Sequence, residues 1–207
     1  MNTPESKVSS SAMVMATALA AGARLVDCSH TITPATCSFA QVFNLIPGAN
    51  GEPTTGYKEG AIVDTRTSQG IGFKKCIYSL PCDVGTHIDS PAHWFPDGRD
   101  ISELTLEELT APGAVIDVTH KITKDTYNYA LSVADLEEFE QKYGKIPPKA
   151  LVVCKTGWSE RDIFNTADWV NGCNFPGFSP EAAKWLLDRQ IVGIGIDTPS
   201  LDPGTHA

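Results

Sequence analysis

Asp83-Val84-Gly85-Thr86-His87-Ile88-Asp89-Ser90-Pro91-Ala92-His93 sets two histidines and two carboxylates within eleven residues. In an extended segment side chains alternate between faces with period two. Asp83, His87, Asp89 and His93 then project from one face as long as the strand holds, and Val84 and Ile88 form a core-facing row on the other. Gly85 falls on the polar face, where a missing side chain leaves room for an ion or a substrate. Pro91 cannot donate a ladder hydrogen bond and bends the chain, which swings His93 over the other three. Imidazole and carboxylate on one face are the ligand set of a divalent transition metal such as zinc or manganese. A single His or Asp is most often just solvated, but four in phase beside Gly and Pro favour a metal site.

Outward from this stretch, Trp94 and Phe95 follow directly and read equally well as an aromatic wall for a substrate or as core. Asp97-Gly98 is a turn. On the other side, residues 61–64 and 73–80 read as strands leading into the motif, and residues 24–32 as a first strand. His30, on that strand, is expected to be a hydrogen-bonded structural histidine. Residues 34–59 carry Pro47-Gly48, Gly51 and Pro53 and read as a long loop, with Phe39, Phe43 and Leu45 able to wall a pocket. Residues 1–24 are expected to be an extension, disordered or helical, ahead of a single domain over 25–207. The alanine-rich run from 12 to 23 is poor in Leu and follows Glu5, so it reads as part of that extension rather than as a signal peptide.

Toward the C-terminus, Thr105-Leu106-Glu107-Glu108 is a capping box that predicts a short helix ending before Ala111-Pro112-Gly113. Residues 115–118, 150–154 and 191–197 are apolar runs that predict buried strands. Ser132, with Asp135 three residues on and Gly144 as terminator, brackets a second helix. Ser179 caps a third, with Pro180 in its first turn. Mixed strands and helices imply an α/β or α+β single domain. There is no GxGxxG or P-loop phosphate motif.

Of the 207 residues 42% are hydrophobic and 20% charged, ordinary values for a globular chain with a sizeable core. The net charge of −9 and pI near 4.9 argue against a nucleic-acid or anionic-membrane surface, which needs a basic patch. No run approaches the roughly 20 apolar residues of a membrane span. Six cysteines form no CxxC pair, so free thiols and a reducing, cytoplasmic setting are expected. Cys82 adjoins the metal motif.

With these residues in view, the chain resembles the cyclase or kynurenine-formamidase family of metal-dependent hydrolases, which includes arylformamidases and isatin hydrolases. The family signature His-x-Gly-Thr-His-x-Asp-x-Pro-x-His matches residues 83–93 at every position but the first. The resemblance covers residues 25–204. It extends to Asp27-Cys28-Ser29-His30, Lys155-Thr156-Gly157-Trp158, Phe175-Pro176-Gly177-Phe178-Ser179-Pro180 and Gly195-Ile196-Asp197-Thr198-Pro199-Ser200-Leu201-Asp202. It implies a swivelling β/β/α fold, a homodimer or homotetramer, and a divalent Zn or Mn ion on Asp83, His87 and Asp89. It gives His93 the proton-transferring role and leaves Thr86 in the motif without ligating. A small-molecule amide is the implied substrate: N-formylkynurenine first, a cyclic amide such as isatin second. A polyketide-type cyclase and a non-catalytic member of the family are the alternatives. Two departures stand out. Asp83 replaces the family's first His, and a harder, negative ligand shifts metal preference toward manganese or magnesium. The family also supplies a further His and Glu beyond the position of Ala207, so a chain truncated at its C-terminus is expected, with His206 too close to substitute.

Overall fold

A computed structural model describes residues 17–33, 35–37, 58–60, 72 and 77–204. In chain order its strands are β1 (Lys58–Gly60), β2 (Ile77–Ser79), β3 (Gly113–Asp117), β4 (Ala130–Leu131), β5 (Leu151–Lys155), β6 (Gly177–Phe178) and β7 (Gly193–Ile196). Its helices with both ends described are α1 (Val133–Tyr143), α2 (Thr166–Val170) and α3 (Pro180–Leu187), and residues 17–20 of the N-terminal extension are helical as well. β3, β5 and β7 form a parallel sheet in that order, with Ala114 opposite Val152 and Val152 opposite Ile194. β4 pairs with β6 in parallel, and β1 with β2 antiparallel. The fold is mixed α/β, as the alternating apolar runs and capped helices imply.

The parallel sheet is covered on one face by α1 and α3. Ala114, Ile116, Val152 and Cys154 meet Leu136, Ala182 and Leu186 there, with Leu131 and Phe178 from the β4–β6 pair. Burial along β3 and β5 alternates, whereas the apolar runs predict strands buried throughout. Val115 remains 53% exposed because, among the described residues, nothing packs over its side of the sheet.

The two longer helices form where their caps stand. Ser132 Oγ accepts the Asp135 amide, and the Asp135 carboxylate accepts the Ser132 amide at 2.7 Å, closing the box at the start of α1. Gly144 ends α1 at φ +93°, a conformation that side chains rarely adopt. Ser179 accepts the Ala182 amide at 3.1 Å and Pro180 begins α3. Asp135 is buried and charged. Burial alone raises its carboxyl pKa, but Lys121, Ser132 and the Tyr129 hydroxyl outweigh it and hold the group below its ordinary range. Tyr129 is in turn pushed up to about 12, by burial first and by the neighbouring carboxylate second.

A second apolar cluster gathers Trp158, Ile163, Trp169, Val170, Phe175 and Cys37. The Trp158 indole N–H donates to the Trp169 carbonyl at 2.8 Å, and the Arg161 guanidinium lies 4.2 Å from the Trp158 ring centroid. Asp197 ties this cluster to the sheet: its carboxylate accepts the Thr156 amide and hydroxyl at 2.9 and 2.7 Å and the Ser159 amide at 3.2 Å.

Several local expectations give way. Residues 24–32 carry no regular secondary structure where a first strand is expected. The Thr105–Glu108 box forms, with the Thr105 amide 2.9 Å from the Glu108 carboxylate, but it encloses only a turn. The few residues before Pro112 cannot repay helix nucleation, and Leu106 at 78% exposure buries no apolar face. A second box, Asp100 with Glu103, caps the 3-10 turn Ile101–Glu103 and escaped the sequence reading. Within the expected strand at 73–80, Ile77–Ser79 forms β2, Leu80 lies just past its end, and 73–76 fall outside the described residues. Residues 61–64, most of 34–59, the extension up to residue 16, Cys76 and His206 lie outside the described residues. The five described cysteines are unpaired. Among the described residues no helix is long and apolar enough to cross a membrane.

Candidate metal and proton-transfer site

The segment from Cys82 to His93 is not a strand. Val84 N donates to the Pro81 carbonyl, Gly85 turns the chain at φ +68°, and Pro91–His93 closes a 3-10 turn. The period-two face therefore breaks at Gly85. Val84 is 3% exposed and seated in the fold, whereas Ile88, its expected partner in the core row, is 56% exposed. The two-residue alternation failed because a glycine in the left-handed region reverses the direction of the side chains beyond it.

The turn nonetheless brings two of the four residues together. The His87 Nδ1–H donates to the Gly85 carbonyl at 2.9 Å, which leaves Nε2 carrying the lone pair in the neutral ring. That nitrogen lies 3.5 Å from a carboxylate oxygen of Asp89. Two acceptors facing each other at this distance repel unless a proton or a cation lies between them. The donor chemistry thus fits a divalent ion, and a carbonyl on the far ring nitrogen is the usual support of a ligating histidine. Asp83 is half-buried, and no hydrogen bond or ion pair joins it to His87 or Asp89 among the described residues. Among the described residues no group of three or more His, Cys, Asp or Glu is gathered to hold a metal.

His93 ends the 3-10 turn, exposed, with its ring edge-on to Trp94 at 5.3 Å. Trp94 and Phe95 are 71% and 67% exposed, which excludes the core reading and leaves two aromatic faces beside His93. The loop that displays them is tightly closed. Gly98 N donates to the Phe95 carbonyl at 2.8 Å, completing the expected Asp97-Gly98 turn, and Ala92 N donates to the Arg99 carbonyl at 3.1 Å. Arg99 then grips Glu108 with both terminal nitrogens, at 2.8 and 3.2 Å. That guanidinium, with the Thr105 amide, pushes the Glu108 carboxyl down to about 2.

Thr86, a motif residue without a ligating role in the expectation above, anchors the segment. Its hydroxyl accepts the His30 backbone amide at 3.0 Å. The His30 ring packs edge-on to Trp169 at 5.9 Å, so the hydrogen-bonded histidine is bonded through its backbone while its imidazole fills an apolar contact. A Cβ on Gly85 would stand 3.0 Å from Ile32. The segment around His30 and Ile32 therefore straps the turn onto the Trp158–Trp169 cluster. Sequence reading missed the Thr86 anchor and the Arg99–Glu108 grip. The first joins residues 56 apart, and the second hides inside a capping box whose glutamate also meets an arginine. Cys82 is exposed, and the Cys154 thiol is pushed up to about 12 by burial and then by Asp197, so Cys154 is no nucleophile at neutral pH.

The family described as "Putative cyclase" matches residues 26–203. The isatin hydrolase of Roseibium aggregatum is 33% identical over 129 residues, 58% of this chain and 48% of that protein. The kynurenine formamidase of Bordetella petrii is 29% identical over 126 residues, 59% of this chain and 50% of that protein. The chain thus spans about half the length of the curated relatives it matches. Among solved structures, isatin hydrolase A from Ralstonia solanacearum superposes with a TM-score of 0.77 at 27% identity, over 96% of this chain and 76% of that one.

Proposed function

The chain belongs to the cyclase family, and from that premise we propose that it is a metal-dependent hydrolase of a non-peptide amide C–N bond. The observation that carries the reading is the His87–Asp89 pair, two acceptors 3.5 Å apart with the histidine's other nitrogen engaged by a carbonyl. His87 and Asp89 would hold a divalent zinc or manganese ion, and Asp83, placed apart from them, would not complete the set in this arrangement. When bound, such an ion supplies Lewis acidity, activating water and polarising the amide carbonyl. His93 takes a proton from the attacking water and passes it to the leaving nitrogen. Imidazole suits both halves of that transfer because it changes protonation near neutral pH. Its ring makes no hydrogen bond among the described residues, so it is free to do so. Trp94 and Phe95 offer flat apolar surface to the aryl group of the substrate.

The family resemblance puts the linear formyl amide ahead of the cyclic one. The higher identity to an isatin hydrolase supports the cyclic aryl amide as the first substrate to assay. The test combines elemental analysis with hydrolysis of isatin and N-formylkynurenine. His87→Ala is expected to lose both metal and turnover. His93→Ala is expected to keep the metal and to lose on the order of a hundredfold in kcat. Metal retained at full stoichiometry after His87→Ala would refute the ligand assignment. A wild type with neither metal nor turnover would favour a non-catalytic member of the family.

A further inference from the structure

The loop from Ser90 to Arg99 carries His93, Trp94 and Phe95, yet it buries almost nothing. Its order has to come from its closure. Three backbone bonds hold the near side: His93 N to the Ser90 carbonyl at 2.9 Å, and Trp94 N and Phe95 N to the Pro91 carbonyl at 3.3 and 3.0 Å. The far side is held by contact. Gly98 lies so close to the opposite strand of the loop that a Cβ there would stand 2.6 Å from the Pro91 carbonyl carbon and 2.7 Å from the Ala92 nitrogen. Both are backbone atoms, so no side-chain rotation relieves the clash. The backbone of Gly98 is not left-handed, and an alanine there tests space alone. At the base, the Ala92–Arg99 bond is locked in place because the Arg99 side chain is forked onto Glu108, itself held by the Thr105 amide and hydroxyl at 2.9 and 3.1 Å.

We propose that Gly98 and the Arg99–Glu108 pair are positioning residues that fix the Ser90–Arg99 loop and thereby set where the His93 imidazole stands. Neither touches the reacting atoms. The proposal rests on the reading of His93 as the proton-transferring group, but the order of the loop can be measured without it.

The experiment uses the full chain with Gly98→Ala, Glu108→Gln, Arg99→Glu alone and the reversed pair Arg99→Glu with Glu108→Arg. Amide exchange at Ala92 and His93 is followed by NMR, with the melting temperature as a control for folding. Gly98→Ala is expected to speed exchange at both amides by tenfold or more, and Glu108→Gln by severalfold, with the melting temperature nearly unchanged. The reversed pair restores the ion pair but not the Thr105 contacts, and is expected to recover part of the protection that Arg99→Glu alone loses. On isatin or N-formylkynurenine, Gly98→Ala is expected to lower kcat about tenfold in the wild type and to have no further effect in a His93→Ala background. Unchanged exchange in Gly98→Ala overturns the proposal. So does an equal loss of kcat with and without His93, since that marks a general structural effect. A wild type that hydrolyses neither amide overturns the functional reading instead, and the exchange rates alone then decide whether the clamp orders the loop.

Discussion

Residues 113–204 and residues 82–109 use their apolar side chains in opposite ways. In the first, Leu131, Leu136, Phe175 and Leu186 are fully enclosed, and two clusters share the burial. In the second, Ile88, Trp94, Phe95 and Leu106 are all more than half exposed, and order comes from turns, caps and one bidentate ion pair. Burial scales with area and is indifferent to direction, so it makes a stable body without aiming any particular side chain. Turns and hydrogen bonds contribute less per interaction but fix direction. The proposed site residues His87, Asp89 and His93 lie in the second region, supported by the first through the Thr86–His30 strap.

The largest effect separates the two regions outright. Phe175→Ala removes a fully buried ring from the Trp158–Trp169 cluster and is expected to cost about 3–5 kcal/mol in urea unfolding. Leu106→Ala, at a residue of similar hydrophobicity on the exposed segment, is expected to stay within about 0.5 kcal/mol. Comparable losses from the two would mean that a partner surface covers Leu106 in solution.

Next in size is Asp135. Asp135→Asn keeps the shape but leaves the half-buried Lys121 ammonium without its main charged partner and the buried carboxylate's hydrogen bonds weakened, at an expected cost of about 2–3 kcal/mol. The sign with pH follows from the folded carboxyl lying below its ordinary value of 3.8. A depressed pKa contributes stability that is present above the unfolded value, so the contribution is full near neutral pH and is lost as pH falls below about 4. Unfolding free energies measured from pH 7 down to pH 3 should fall more steeply for the wild type than for Asp135→Asn. Equal slopes would remove Asp135 from the acid response.

The fold was legible where the chain buries a face. The apolar runs at 115–118, 150–154 and 191–197 mark β3, β5 and β7, and the Ser132 and Ser179 caps start α1 and α3. At the candidate site the sequence shows the residue types but not how they are placed. Alternation in the eleven-residue motif is a strand signal, but Gly85 makes the segment a turn, and Asp83 is not gathered with His87 and Asp89. A single φ angle decided that difference, and composition carries no trace of it. The strap through His30 was out of reach for another reason, since only tertiary packing places it against Thr86.

The smallest effect probes the comparison most finely, because one sequence pattern occurs in both regions. Ser132 with Asp135 and Thr105 with Glu108 form the same reciprocal box, with a hydroxyl accepting the third amide and a carboxylate accepting the first. Ser132 caps the eleven-residue helix α1, whose Leu136 is buried in the core, so an orphan amide there weakens a cooperative unit. Ser132→Ala is expected to cost about 1 kcal/mol. Thr105 caps only a turn, whose amides reach water as soon as the box opens. Thr105→Ala is therefore expected to change global stability by no more than a few tenths of a kcal/mol. Its effect should fall instead on local exchange at Glu108 and, through Arg99, at Ala92. Equal global costs for the two alanines would show that the 82–109 segment unfolds together with the sheet, and that the division between a buried body and a directional site is one of geometry without being one of energy.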